Sequence, residues 1–124
     1  MAMLDGTFRV VDFVHQSVGA LSTEEARAFV GRSASFRPGL DTPWARCDEP
    51  SYRHRELTVD AYLEEHRVPV IDPDRAERWG LDRGAVVEWT AACPSESVVV
   101  VATSTGHLLV GHDGVTFVLA PVEG

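Results

Sequence analysis

Ala85-Val86-Val87-Glu88-Trp89-Thr90-Ala91-Ala92-Cys93 decides the fold, because from Ala85 onward the hydrophobic period of the chain becomes two. Side chains in an extended chain alternate between faces, so Val87, Trp89, Ala91 and Cys93 share one face and Val86, Glu88, Thr90 and Ala92 the other. That parity points Cys93 inward. Further apolar runs follow over 97–103, 107–111 and 115–120, separated by Ser104-Thr105-Gly106 and His112-Asp113-Gly114. Asp-Gly between apolar runs is a hairpin signal, since both residues accept the positive φ of a tight turn. Residues 85–124 are therefore expected to form an antiparallel meander of four strands.

Toward the N-terminus, 7–14 reads as a strand rich in aromatic and β-branched residues, with Phe8 and Val10 alternating against Arg9 and Val11. It is available to close or extend the meander. Leu21-Ser22-Thr23-Glu24-Glu25-Ala26 contains a capping box, Ser22 accepting from the amide of Glu25 and Glu25 returning to the amide of Ser22. A helix over 23–30 is predicted, with Ala26, Phe29 and Val30 on one apolar face and Gly31 as its left-handed stop. A short strand over 32–36, a turn-rich stretch over 37–44 and a strand over 51–57 follow. Thr58 caps a predicted helix over 59–66 with Tyr62 and Leu63 near the core, and Pro69 biases 68–71 toward extended backbone. Asp72 and Pro73 open another short helix, which Gly80 ends.

A chain of 124 residues suits a single domain spanning 1–124, and 44% hydrophobic with 24% charged residues is ordinary for a globular protein. The longest apolar run, Val98-Val99-Val100-Val101-Ala102, falls far short of the roughly 20 residues that span a bilayer. All eleven basic residues are Arg, Lys and Asn are absent and Ile71 is the one isoleucine, a bias that GC-rich codon usage imposes and that suggests a bacterial source. The formal charge of −8 opposes binding to nucleic acid, whose affinity comes from cations neutralising phosphates. It steers instead toward basic proteins or cationic ligands.

Cys47 and Cys93 each sit where a disulfide would tie an irregular segment to a strand, and neither has the spacing of a metal or redox motif. If they pair, the chain belongs in an oxidising compartment; the alternative is a cytosolic protein with two free thiols. Met1-Ala2-Met3 carries no export signal and is expected to be foreign to a mature sequence whose signal peptide or lipid anchor has been removed.

No Gly-x-Ser-x-Gly elbow, phosphate-binding loop, dinucleotide glycine pattern or His-Glu-x-x-His segment is present, so neither an enzyme nor a cofactor is expected. His15, His54, His66, His107 and His112 are scattered; a metal site from His107, His112 and Asp113 is the arrangement to weigh against plain hairpin-surface residues, and no metal is expected. Three aromatic residues are candidate binding groups. Trp89 is expected to fill core, whereas Trp44, in a Pro-bounded loop near Cys47, is the candidate for an exposed contact, and Tyr52 is a further candidate for stacking on a ligand or anchoring a partner.

Leu4-Asp5-Gly6-Thr7-Phe8, the 21–26 helix start followed by Val30-Gly31-Arg32, Cys47-Asp48-Glu49-Pro50-Ser51-Tyr52, Trp79-Gly80-Leu81 and a second cysteine before a final meander together resemble a family of small exported bacterial barrels, lipocalin-like or calycin-like. The resemblance covers nearly the whole chain. It implies a mainly β fold, a small antiparallel up-and-down barrel with two or three short helices, held by a Cys47–Cys93 bond. Closing a loop of about 46 residues is worth about 4 kcal/mol in the chain-entropy model. The short length and the interruption by two helices argue against a deep ligand cavity. The expected function is a non-enzymatic, periplasmic or secreted binding module, of inhibitor or immunity type, taking a basic protein at the loops around Trp44, Cys47 and Tyr52. The alternatives are a carrier of a small hydrophobic ligand or lipid and a structural envelope protein.

Overall fold

The computed structural model describes residues 6–15, 21–36, 39–68 and 71–122. Among them the chain runs β1 (Gly6–His15), α1 (Thr23–Arg27), β2 (Ser33–Phe36), β3 (Leu40–Asp41), β4 (Arg46–Cys47), β5 (Ser51–Thr58), α2 (Val59–Glu65), α3 (Pro73–Trp79), β6 (Ala85–Ala92), β7 (Ser97–Ala102), β8 (Leu108–His112) and β9 (Val115–Pro121). The expected first motif residues Leu4 and Asp5, the start Met1-Ala2-Met3, and Pro69 and Val70 lie outside the described residues.

All nine strands join one antiparallel sheet in the order β4-β3-β2-β1-β9-β8-β7-β6-β5. Every neighbour in that order is also a neighbour in the chain except β1 and β9, whose pairing joins the meanders β1–β4 and β5–β9 into one sheet. The seam lies between β4 and β5. Residues 48–50 alone connect those two strands, so the opposite margins of the sheet come within about 14 Å of each other at that point. The sheet is accordingly curled into a half-barrel, a mainly β architecture with three short helices. The four-stranded meander β6–β9 forms as the period of two predicts, and Asp113 (φ 47°) with Gly114 (φ 78°) makes the positive-φ hairpin turn between β8 and β9.

Two apolar clusters occupy the two faces. The inner one gathers Phe8, Val10, Phe36, Trp89, Val100, Val110, Phe117 and Leu119, with α1 contributing Ala26. The outer one joins Val86, Val101, Leu109 and Val118 of the sheet to Val59 and Tyr62 of α2, Trp79 of α3 and Leu81 beyond it. Each fully buried aliphatic or aromatic side chain contributes about 1.5–3 kcal/mol to this arrangement.

Alternation in β1 fails after Val10. A bulge between Val10 and Asp12 inserts one residue, so Phe8 and Val10 face inward, and beyond the bulge Phe13 packs on the inner cluster and Val14 on the outer one. Val11, which the sequence reading pairs with Arg9, is left 44% exposed. The helix expected over 23–30 stops at Arg27: Ser22 and Glu25 form both hydrogen bonds of the capping box, but residues 28–31 are turn and Val30 is exposed rather than part of an apolar face. The turn-rich stretch over 37–44 contains β3, a two-residue strand too short to carry a periodic signal. Thr58 and Asp72 cap α2 and α3 as their sequences predict, with Gly80 left-handed at φ 77°. No helix among the described residues is long and apolar enough to cross a membrane.

Candidate functional site

Thr42 fixes the first element of the site. Its hydroxyl accepts from the amides of Trp44 and Ala45 and donates to the Ala45 carbonyl, while its own amide also donates to that carbonyl. This closes the turn between β3 and β4 and throws the Trp44 ring inward, where it stacks on Phe117 with centroids 4.8 Å apart and planes at 29°. Phe29, carried just beyond α1, lies 5.6 Å from Trp44, and the His112 ring 6.2 Å.

Beside this aromatic group the sheet opens. β7 and β8 pair only over Val100–Val110, Val101–Leu109 and Ala102–Leu108. Past Val100, β7 stays with β6 through Val98 and Val99, while β8 stays with β9 through Gly111 and His112. The two strands therefore part, leaving a crevice of about 380 Å³. Trp44, Ala45, Val98, Val110 and His112 line it on the inner side; Tyr62, His66, Val101, Leu109 and Thr116 line it on the outer side; Glu96 and Ser97 stand at its rim. Two polar atoms of this lining, Trp44 Nε1 and Thr116 Oγ1, are buried with no hydrogen-bond partner among the described residues. Buried polar groups are nearly always paired, so such atoms call for an explanation.

A charged cluster braces the outer rim. Arg55 lies directly across the sheet from Glu88, which in turn lies across from Val101. Arg55 donates to both Glu88 oxygens, Nε to Oε1 at 2.9 Å and Nη2 to Oε2 at 3.3 Å, and reaches Glu65 of α2 at 3.0 Å. His66 Nε2 sits 2.8 Å from Glu88 Oε2. The Arg55 hydrogen bonds, reinforced by His66 and opposed by burial, hold the Glu88 carboxyl below the usual carboxylate range. Burial, and then the charge of Glu88, push the Tyr62 phenol well above its ordinary value. Glu88 is thus a fixed anion that locks the end of α2 to the sheet.

No protein family model, no curated protein and no solved structure matches this chain.

Of the three aromatic residues singled out in the sequence, Trp44 alone lines the crevice, and it is half-buried on Phe117 rather than an exposed contact. Tyr52 and Trp89 meet edge to face at 6.3 Å, Trp89 is buried, and both belong to the inner cluster. Cys47 and Cys93 form a disulfide with Cα atoms 6.0 Å apart. His107 and His112 are not brought onto a common site: His107 Nδ1 meets the Thr105 hydroxyl at 2.8 Å, and His112 lies 3.5 Å from Asp113. Burial lowers the pKa of His107. No group of three or more His, Cys, Asp or Glu side chains able to hold a metal occurs among the described residues. The sequence reading missed Thr116, Glu88 and His66. Glu88 had a signal, a lone carboxylate in an otherwise apolar strand; Thr116 had none, because threonine is ordinary on a strand face.

Proposed function

We propose that this chain is a non-enzymatic exported binding module, lipocalin-like in build, whose ligand enters the crevice between β7 and β8 rather than a hollow barrel. The inner face is filled by Phe8, Phe36, Trp89 and Phe117, so the opening through the sheet is the place left for a guest. The observation that carries the reading is Nε1 of Trp44, a residue of the wall of that opening, which is buried with no hydrogen-bond partner among the described residues. An orphaned buried donor costs about 1–3 kcal/mol, and a ligand oxygen placed against it recovers that free energy on binding. The rim carboxylate Glu96 and the net charge of −8 disfavour anions, and the lining mixes apolar side chains with the polar groups of Tyr62, Ser97 and Thr116. The fitting class is a small uncharged molecule with an apolar body and one carbonyl, ether or hydroxyl oxygen, at the small end of the size range of ligand pockets. The Cys47–Cys93 bond suits an oxidising compartment. Native mass spectrometry of freshly purified protein tests this reading: a copurifying neutral molecule of a few hundred daltons, absent from the W44F variant, supports it, and the observation of each protein only at its own polypeptide mass after incubation with extract of the source cells overturns it.

A second reading, a basic protein as partner, is favoured by the exposed carboxylates Asp48, Glu49 and Glu96 flanking the disulfide. Salt-sensitive association with basic hydrolases supports it, and the absence of such association removes it.

A further inference from the structure

β5 is the terminal strand of the sheet, and among the described residues only β6 pairs with it. β4, its neighbour across the seam, is two residues long, so among the described residues most of the eight-residue outer edge of β5 is left without a strand. An unpaired edge is a template for another chain unless something forbids it.

The edge carries Arg53, His54, Arg55 and Glu56, all exposed, within a chain of net charge −8. Arg55 is neutralised by Glu65 and Glu88, whereas Arg53 has no ion-pair partner among the described residues. A second copy of β5 meets like charges in each two-fold register centred on residues 53 to 56. Antiparallel strands related by a two-fold axis share their faces only when paired positions have the same parity. Registers centred on Arg53, His54 and Arg55 then oppose Arg53 to Arg53, Arg53 to Arg55, and Arg55 to Arg55, and a register centred on Glu56 opposes that residue to itself. Like charges directly opposite each other are destabilising.

We infer that the β5 edge takes an acidic extended peptide as an added strand, with a carboxylate opposite Arg53 on the outer face and apolar side chains beside Tyr52 and His54 on the inner one. Main-chain hydrogen bonds would supply affinity and the charge the choice of partner, the mode by which sheet edges capture extended segments. Arg53 lies outside the lining of the Trp44 crevice and is opposite in sign to the chain as a whole.

The test uses two fluorescent nine-residue peptides, one alternating Glu and Val, the other Lys and Val, against the full chain and its R53E variant. The acidic peptide is expected to bind at least tenfold more tightly than the basic one, to weaken as salt rises, and to slow amide exchange in β5. R53E, a change at an exposed side chain, is expected to reverse the preference while leaving the circular dichroism unchanged. Equal binding of the two peptides, no binding of either, or acidic-peptide binding that R53E does not alter would overturn the inference. A polyanionic oligonucleotide that competes at equal charge without protecting β5 amides would do the same.

Discussion

Cys47 and Cys93 are 46 positions apart in sequence, and their bond joins the two margins of the sheet: Cys47 ends β4, at one end of the strand order, and Cys93 follows β6, one strand in from the other end. The bond closes the seam that the hydrogen-bonded ladders leave open. Reduction, or the C47S/C93S pair, is expected to cost about 4 kcal/mol in the chain-entropy model, a large share of the stability of a small domain. Urea unfolding with and without reductant measures it. A loss below about 1 kcal/mol would mean that the three-residue link 48–50 holds the seam alone.

Trp44 stacks on Phe117, and its buried indole nitrogen has no hydrogen-bond partner among the described residues. Trp44→Phe keeps a ring in the stack and removes the orphaned donor, so unfolding free energy is expected to change by no more than about 1 kcal/mol while ligand binding is lost. Trp44→Ala is expected to cost about 2–3 kcal/mol, less than the loss of a fully buried ring because Trp44 is half-buried. Thermal melts paired with ligand titrations separate the two effects. A strongly destabilised W44F protein would assign the indole a structural role.

Glu88 makes stability depend on acid. Its native pKa is depressed, chiefly by Arg55, below the unfolded value of about 4.3, so its contribution is complete above that value and is lost as pH falls through the native one. Glu88→Gln is expected to cost about 1–2 kcal/mol at pH 7, the half-exposed Arg55 limiting the loss. The gap between wild type and variant should shrink steadily as pH is lowered below about 4. A gap independent of pH in urea titrations from pH 7 to pH 3 would assign the effect to packing instead.

Gly80 ends α3 at φ 77°, and a Cβ built there would stand 3.1 Å from the Thr103 side chain. Gly80→Ala is therefore expected to cost about 1–2 kcal/mol from the left-handed backbone alone, and more from crowding against the loop between β7 and β8. Thermal unfolding checks this, and an unchanged melting temperature would show that the chain relaxes to a right-handed cap.

Periodicity reached far into this fold and stopped at definite places. Val87, Trp89 and Cys93 announced the inner face, Ser22 with Glu25 and Asp72 with Pro73 announced two helix starts, and Asp113-Gly114 announced a hairpin, because each of those signals is local. The bulge at Val11 was invisible, since an inserted residue is specified by the partner strand rather than by the residue itself. β3 and β4 are two residues each, shorter than any period. The crevice was equally hidden. It arises because β7 follows β6 and β8 follows β9 at one end, a relation among four strands that no single stretch records. The inward direction of the Trp44 ring was hidden too, since it depends on how the Thr42 hydroxyl closes its turn.

The three tryptophan indole groups, Trp44, Trp79 and Trp89, give three proton–nitrogen resonances that report most directly on the crevice. In a titration with small neutral carbonyl compounds, with the Trp44 signal assigned through W44F, this resonance alone is expected to move downfield in a saturable manner. Movement of the Trp79 or Trp89 signal with Trp44 unmoved, or no movement for any compound that the protein demonstrably binds, would contradict a ligand site at Trp44.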